Sequence, residues 1–163
     1  MDRTLETTDW TKVCLTGRQV AEVELVYRSK VKPSERPQIK NSRDIFDLFI
    51  SHWDMDKIEL LEQFKCMFLN RANRVLGIYE MSTGGTTGTI ADAKLIFAAA
   101  LKANANKLAL SHNHPSGNLK PSNEDIALTR KLANAGKFLD MPVLDHLIIT
   151  KDGYYSFCDE GLI

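Results

Sequence analysis

The stretch SHNHPSGNLKPSNED, residues 111–125, sets two histidines two positions apart just ahead of a turn, with an acidic run behind it. The whole chain holds only four histidines. Preceded by KLAL, the first part reads as the end of a β-strand. Side chains at i and i+2 of a strand share a face, so His112 and His114 point together and Asn113 points away. Two imidazoles about 6–7 Å apart along one strand can reach a single metal ion. Pro115 then ends the ladder because it has no N–H to give, and Ser116-Gly117 turns the chain. Serine after Pro121, with Asp125 three positions later, has the pattern of a helix N-cap. One strand end thus offers two imidazoles and one helix start offers a carboxylate. Two His and one Asp form a three-ligand set that suits zinc and leaves a fourth position for water. Taken alone, Ser122 and Asp125 also read as a plain capping box, and a lone His-x-His as incidental. Their coincidence at fixed spacing favours a metal site.

Working outward, a helix is expected from Asn123 to about Leu139, then a strand over 141–150 and a short last strand over 153–158. Upstream, residues 106–112 form the histidine-bearing strand. Thr89 can cap a helix over 91–105. FKCMFLN (64–70) and RVLGIYEMS (74–82) read as a hairpin around Arg71-Ala72-Asn73. KIELLEQ reads as a helical turn. Ser42 can cap a helix that carries Ile45, Leu48, Phe49 and Trp53 at helical spacing. Residues 32–37 (KPSERP) read as a linker, 18–30 as an imperfect strand and 1–17 as irregular. The expected organisation is an N-terminal arm or extra strand plus linker over 1–40 and one domain over 41–163. Strands and helices mixed in this way imply an α/β (α+β) sandwich, a mixed β-sheet flanked by helices.

Composition narrows the function classes. The formal net charge is zero, with 21 basic and 21 acidic residues. That balance supplies no basic footprint for nucleic acid or anionic membrane. No apolar run reaches the ~18 residues of a membrane span, and the polar N-terminus shows no secretory h-region. Cys14, Cys66 and Cys158 are odd in number and far apart, which fits a reduced, cytoplasmic protein with its thiols buried as small apolar groups. Gly84, Gly85 and Gly88 with their threonines lack the Lys-Ser/Thr ending of a phosphate-cradling P-loop. His52 is expected on the surface, and His146 on a strand, half-buried, set behind a metal ligand or lining the cleft.

His112-x-His114-x7-Ser122-x2-Asp125 matches the JAMM (MPN+) metalloprotease signature. HNHPSGNLKPSNEDIALTRKL, with LDHLII at 144–149 and the closing YYSFCDEGLI, resembles the bacterial RadC family from Ser42 to Ile163. The resemblance implies a curved mixed sheet with flanking helices, similar to cytidine-deaminase-like sandwiches. It implies one Zn2+ held by His112, His114 and Asp125. It also implies an acidic general base just before the first core strand, best filled by Glu62 with Glu59 as rival, and Ser122 as donor to the developing oxyanion. Many RadC proteins carry an N-terminal helix-hairpin-helix module. Residues 1–60 contain a single glycine, Gly17, so that glycine-dependent hairpin is not expected here, and the family's DNA-repair label transfers poorly.

The resulting expectation is a zinc metallopeptidase that cleaves an amide or isopeptide bond in a peptide or protein. Two rivals stand beside it: a DNA-repair or mobile-element accessory whose metal site does no chemistry, and a module that holds a peptide strand at a sheet edge without cutting it.

Overall fold

The computed structural model describes residues 31–84 and 91–163. The strand expected over 18–30, the irregular start, Cys14, the Thr89 cap and the loop glycines Gly85 and Gly88 lie outside the described residues. Within them, five strands and three α-helices follow in the order α1 (Ser42–Ser51), β1 (Gln63–Leu69), β2 (Val75–Thr83), α2 (Ala93–Lys102), β3 (Lys107–Asn113), α3 (Asn123–Phe138), β4 (Val143–Ile149) and β5 (Tyr154–Ser156). The strands form one mixed sheet in the order β2-β1-β3-β4-β5. All neighbours are antiparallel except β3 and β4, which run parallel through the α3 crossover.

The hairpin forms where expected. Asn70 closes its turn, its side-chain oxygen accepting from the N–H groups of Ala72 and Arg74, both at 2.9 Å. Asn73 takes the left-handed conformation at φ 57° that asparagine tolerates. β1 is buried along its whole length, as befits a strand covered on both faces. Phe64, Cys66 and Phe68 pack with Ile96, Phe97, Leu110 and Leu132 toward α2 and α3. Met67 and Leu69 pack with Phe49, Trp53, Ala109 and Leu147 toward α1. The sheet is therefore the middle of three layers, with α1 on one side and α2 and α3 on the other.

Several local expectations change. α1 is capped by Asn41, whose side chain accepts from the N–H of Asp44 at 2.9 Å. Ser42 is already inside the helix, and its hydroxyl donates instead to Asp159 at 3.0 Å. α2 is shorter than 91–105 because Asp92 caps it and accepts from Lys94 N–H. In KIELLEQ, residues 57–60 make hydrogen-bonded turns, in line with the helical turn expected there, and Gln63 already opens β1. β5 stops at Ser156, where the chain turns back, Leu162 N–H bonding to the Phe157 carbonyl at 2.8 Å. Cys66 is buried but Cys158 is exposed, so burial does not extend to every thiol. Trp53 lies past the end of α1 yet stays in the core, and His52 is exposed as expected. No helix among the described residues is long and apolar enough to cross a membrane.

Candidate metal centre

The strand tip and the helix start that the sequence places side by side do converge. β3 ends at Asn113, and His114 continues its line, its backbone N–H bonding to the Ile149 carbonyl of β4 at 3.2 Å. The chain then turns through Gly117 at φ 77°, a conformation that suits glycine. α3 begins at a full capping box. Ser122 Oγ accepts from the Asp125 N–H at 3.1 Å, and Asp125 Oδ2 accepts from the Ser122 N–H at 2.8 Å. This short, tied crossover fixes the carboxylate opposite the two imidazoles.

His112 Nε2 and His114 Nε2 lie 3.0 Å apart. Asp125 Oδ1 is 3.2 Å from His112 Nε2, and Oδ2 is 3.6 Å from His114 Nε2. Ligand atoms on a tetrahedral zinc, with bonds near 2.0–2.1 Å, stand about 3.3 Å from one another. The three side chains thus have the types and separations that could hold a metal ion. His114 Nδ1 lies 2.6 Å from the Asn118 carbonyl oxygen. A carbonyl only accepts, so the ring proton sits on Nδ1, and neutral His114 turns an unshared pair at Nε2 toward the cluster.

The electrostatics agree with a cation-binding site. Burial works to raise the Asp125 pKa, but its contacts with the imidazoles of His112 and His114 and with the Ser122 hydroxyl outweigh it and hold the carboxyl far below its usual range. His114 is raised above its ordinary value, first by its hydrogen bond to Asp125.

Glu62 stands immediately before β1, opposite this strand tip. It shares an open cleft of about 420 Å³ with His114, Ser116, Asn118, Lys120 and Ser122. Glu59 does not line that cleft; it is exposed and pairs with Lys151. Between the two glutamates, only Glu62 is placed beside the cluster.

Ser122 lies at the cleft with its hydroxyl already engaged. Oγ donates to Asp125 Oδ2 at 2.6 Å while accepting from the Asp125 N–H. A hydroxyl has one proton. To donate to an oxyanion, Ser122 would have to release Asp125. The capping reading of this serine therefore describes the structure, and the oxyanion role requires a rotation of the hydroxyl.

His146 is neither half-buried nor at the cleft. It is fully enclosed, with Nε2 at 2.8 Å from His112 Nδ1 and Nδ1 at 2.6 Å from Thr129 Oγ1. Phe157 stacks on its ring at 4.9 Å. Asp145 points to the opposite side, as strand alternation requires, and accepts from Ser156 Oγ and the Cys158 N–H.

Two residues carry more than their sequence context announces. Asn113, read only as pointing away, is completely buried on the α1 side. Its Oδ1 accepts from the Gln63 N–H at 2.7 Å, and its Nδ2 donates to the carbonyls of Ile58 at 2.6 Å and Leu61 at 2.9 Å. Those bonds grip the backbone on both sides of Glu62, whose own carbonyl accepts from the Gly84 N–H at 2.8 Å. The usable signal was a carboxamide on the face where Ala109 is apolar. Thr129 is the other, four residues after Asp125 and so one turn along the same face of α3.

The family model described as a RadC-like JAB domain matches residues 39–162. The chain belongs to the RadC-like JAB domain family. It is 50% identical over 101 residues to a UPF0758 protein of Flavobacterium johnsoniae, covering 62% of this chain and 44% of that protein. It is 34% identical over 152 residues to a UPF0758 protein of Symbiobacterium thermophilum, covering 93% of this chain and 62% of the relative. A UPF0758 protein of Desulfitobacterium hafniense is 37% identical over 146 residues, with 88% and 62% covered. The chain thus spans from under half to about three-fifths of these relatives' lengths. JAB domains are generally hydrolytic, so membership supports the metallohydrolase class without naming a substrate. The five-stranded mixed sheet with its three helices is consistent with the JAB fold.

Proposed function

We propose that this RadC-like JAB domain is a zinc-dependent metallopeptidase that hydrolyses an amide or isopeptide bond in a peptide or protein. One observation carries the proposal: two imidazole nitrogens and one carboxylate oxygen meet at zinc-ligand separations beside a cleft that His114 and Glu62 both line. His112, His114 and Asp125 would be the ligands. A zinc ion there supplies Lewis acidity that polarises a carbonyl and brings the pKa of water toward neutrality.

The remaining work belongs to the protein. Glu62 takes a proton from the attacking water on its carboxylate and passes it to the leaving amine. The Asn113 bonds keep that carboxylate's backbone fixed while the proton moves. Ser122 holds Asp125 Oδ2 through two bonds, leaving Oδ1 for the cation. The peptide would enter by the open cleft beside His114. Nucleic acid is left out of the proposal because a net charge of zero gives phosphates no general attraction.

The test pairs metal analysis with a peptide-library cleavage screen. Glu62→Gln should retain one zinc per chain while cleavage falls by about two to four orders of magnitude. His112→Ala should lose the zinc. Unchanged cleavage by the glutamine variant would remove Glu62 as the base, and full zinc in the alanine variant would remove the ligand set.

A further inference from the structure

We propose that Thr129 and His146 act as a positioning relay that sets the tautomer of His112 and presents its Nε2 lone pair to the metal; this rests on the metallopeptidase reading above. Protons can be counted along a buried chain of contacts. Thr129 Oγ1 lies 2.6 Å from the backbone carbonyl oxygen of Asp125. The carbonyl has no proton, so the one hydroxyl proton of Thr129 is donated there. Thr129 Oγ1 also lies 2.6 Å from His146 Nδ1. With its proton already committed, the hydroxyl can only accept, and His146 Nδ1 must carry hydrogen.

His146 is fully buried and its two ring nitrogens meet His112 and Thr129 and no carboxylate, only its backbone N–H bonding to Asp145, so the ring stays neutral and its Nε2 bears a lone pair. The 2.8 Å contact between His146 Nε2 and His112 Nδ1 then needs its proton on His112 Nδ1. A neutral His112 protonated there has its remaining lone pair at Nε2, the atom facing His114 and Asp125. Every hydrogen-bond polarity follows from the first carbonyl, which belongs to Asp125 itself. The carboxylate and the imidazole are thereby coupled twice, once across the cluster and once through α3 and β4.

Ring stacking keeps the relay in register. Phe157 lies parallel to His146 at 15°, and Phe64 lies parallel to His112 at 7°. A histidine placed only to fill the core would show no dependence of metal binding on the threonine hydroxyl.

The experiment uses three forms of the full chain: wild type, Thr129→Val, which keeps the shape and loses the hydroxyl, and Thr129→Ser, which restores it. Zinc affinity is read by chelator competition, on protein shown by circular dichroism to be folded. Imidazole tautomers are read on metal-free protein by long-range nitrogen–proton NMR. Wild type should show hydrogen on Nδ1 of both His112 and His146. Thr129→Val should bind zinc about 10–100-fold more weakly, and Thr129→Ser should bind like wild type. Equal zinc affinity in wild type and the valine variant, or His112 carrying its hydrogen on Nε2, overturns the relay and leaves the metallopeptidase proposal standing. A wild-type chain that takes up no zinc overturns the metallopeptidase proposal, and the metal-free spectra still decide the relay's polarity.

Discussion

At the scale of single residues, the cluster is built so that a proton and a metal ion compete for one place. Asp125 stays ionised far below the usual carboxylate range, and it raises the His114 pKa by hydrogen bonding. Without metal, a proton on His114 satisfies that carboxylate. Zinc binding must displace it. The sign follows directly: a raised His114 pKa means that the proton is held up to a higher pH than in a free histidine, so apparent zinc affinity falls as pH drops through that value. Below it the fall should approach about tenfold per pH unit for one proton. Chelator competition across pH 5.5–8 measures the slope, and a flat profile would remove His114 from the ligand set. The histidine pair, the turn and Asp125 were legible because each obeys a local rule: strand alternation, the missing N–H of proline, the capping spacing. The Ser122 cap was legible too, but that its hydroxyl gives its one proton to Asp125 Oδ2 was not, since a cap and an oxyanion donor demand the same residue at the same place.

At the scale of elements, β3 uses both faces for the site. One face carries His112 toward α3. The other carries Asn113, which ties the segment before β1 in place. Replacing Asn113 by alanine leaves a buried N–H and two carbonyls without their partner, at about 1–3 kcal/mol for each such group. Asn113→Ala should therefore lose roughly 3 kcal/mol or more in urea unfolding, keep its zinc and lose cleavage to nearly the level of Glu62→Gln. A variant that loses zinc instead would show that Asn113 supports the ligands rather than the glutamate. The hairpin and the helices were readable from periodicity and turn residues. The helix caps Asn41 and Asp92 were less so, because asparagine, aspartate, serine and threonine all cap, and the contact made by each side-chain oxygen decides among them. The reach of Asn113 was hidden for a different reason: its partners lie 50 to 55 positions away.

At the scale of the whole molecule, tight joints hold the layers in register. Gly136 in α3 sits where a Cβ would run into the carbonyl oxygen of Met141, at the entry to β4, and would touch the Phe97 ring of α2 at 3.6 Å. Alanine is the better helix former by about 1 kcal/mol. Here Gly136→Ala should instead destabilise by about 1–3 kcal/mol through overpacking, read from the urea midpoint of the metal-free protein. The mixed α/β class followed from the run of elements, but the order of strands did not. That β3 enters between β1 and β4, with His112 opposite Phe64, depends on contacts between distant segments. That register brings Glu62 to the cleft.

The parallel β3-α3-β4 unit, Lys107 to Ile149, contains His112, His114, Asp125, Thr129 and His146, whereas Glu62 comes from the segment just ahead of β1. On the proposed assignment, capture of the ion and scission of the target are inherited from different stretches of polypeptide. On the same assignment, a lesion confined to the earlier stretch would yield a decoy: it would keep its ion and bind its target reversibly without cutting it, and so compete with working copies instead of simply dropping out.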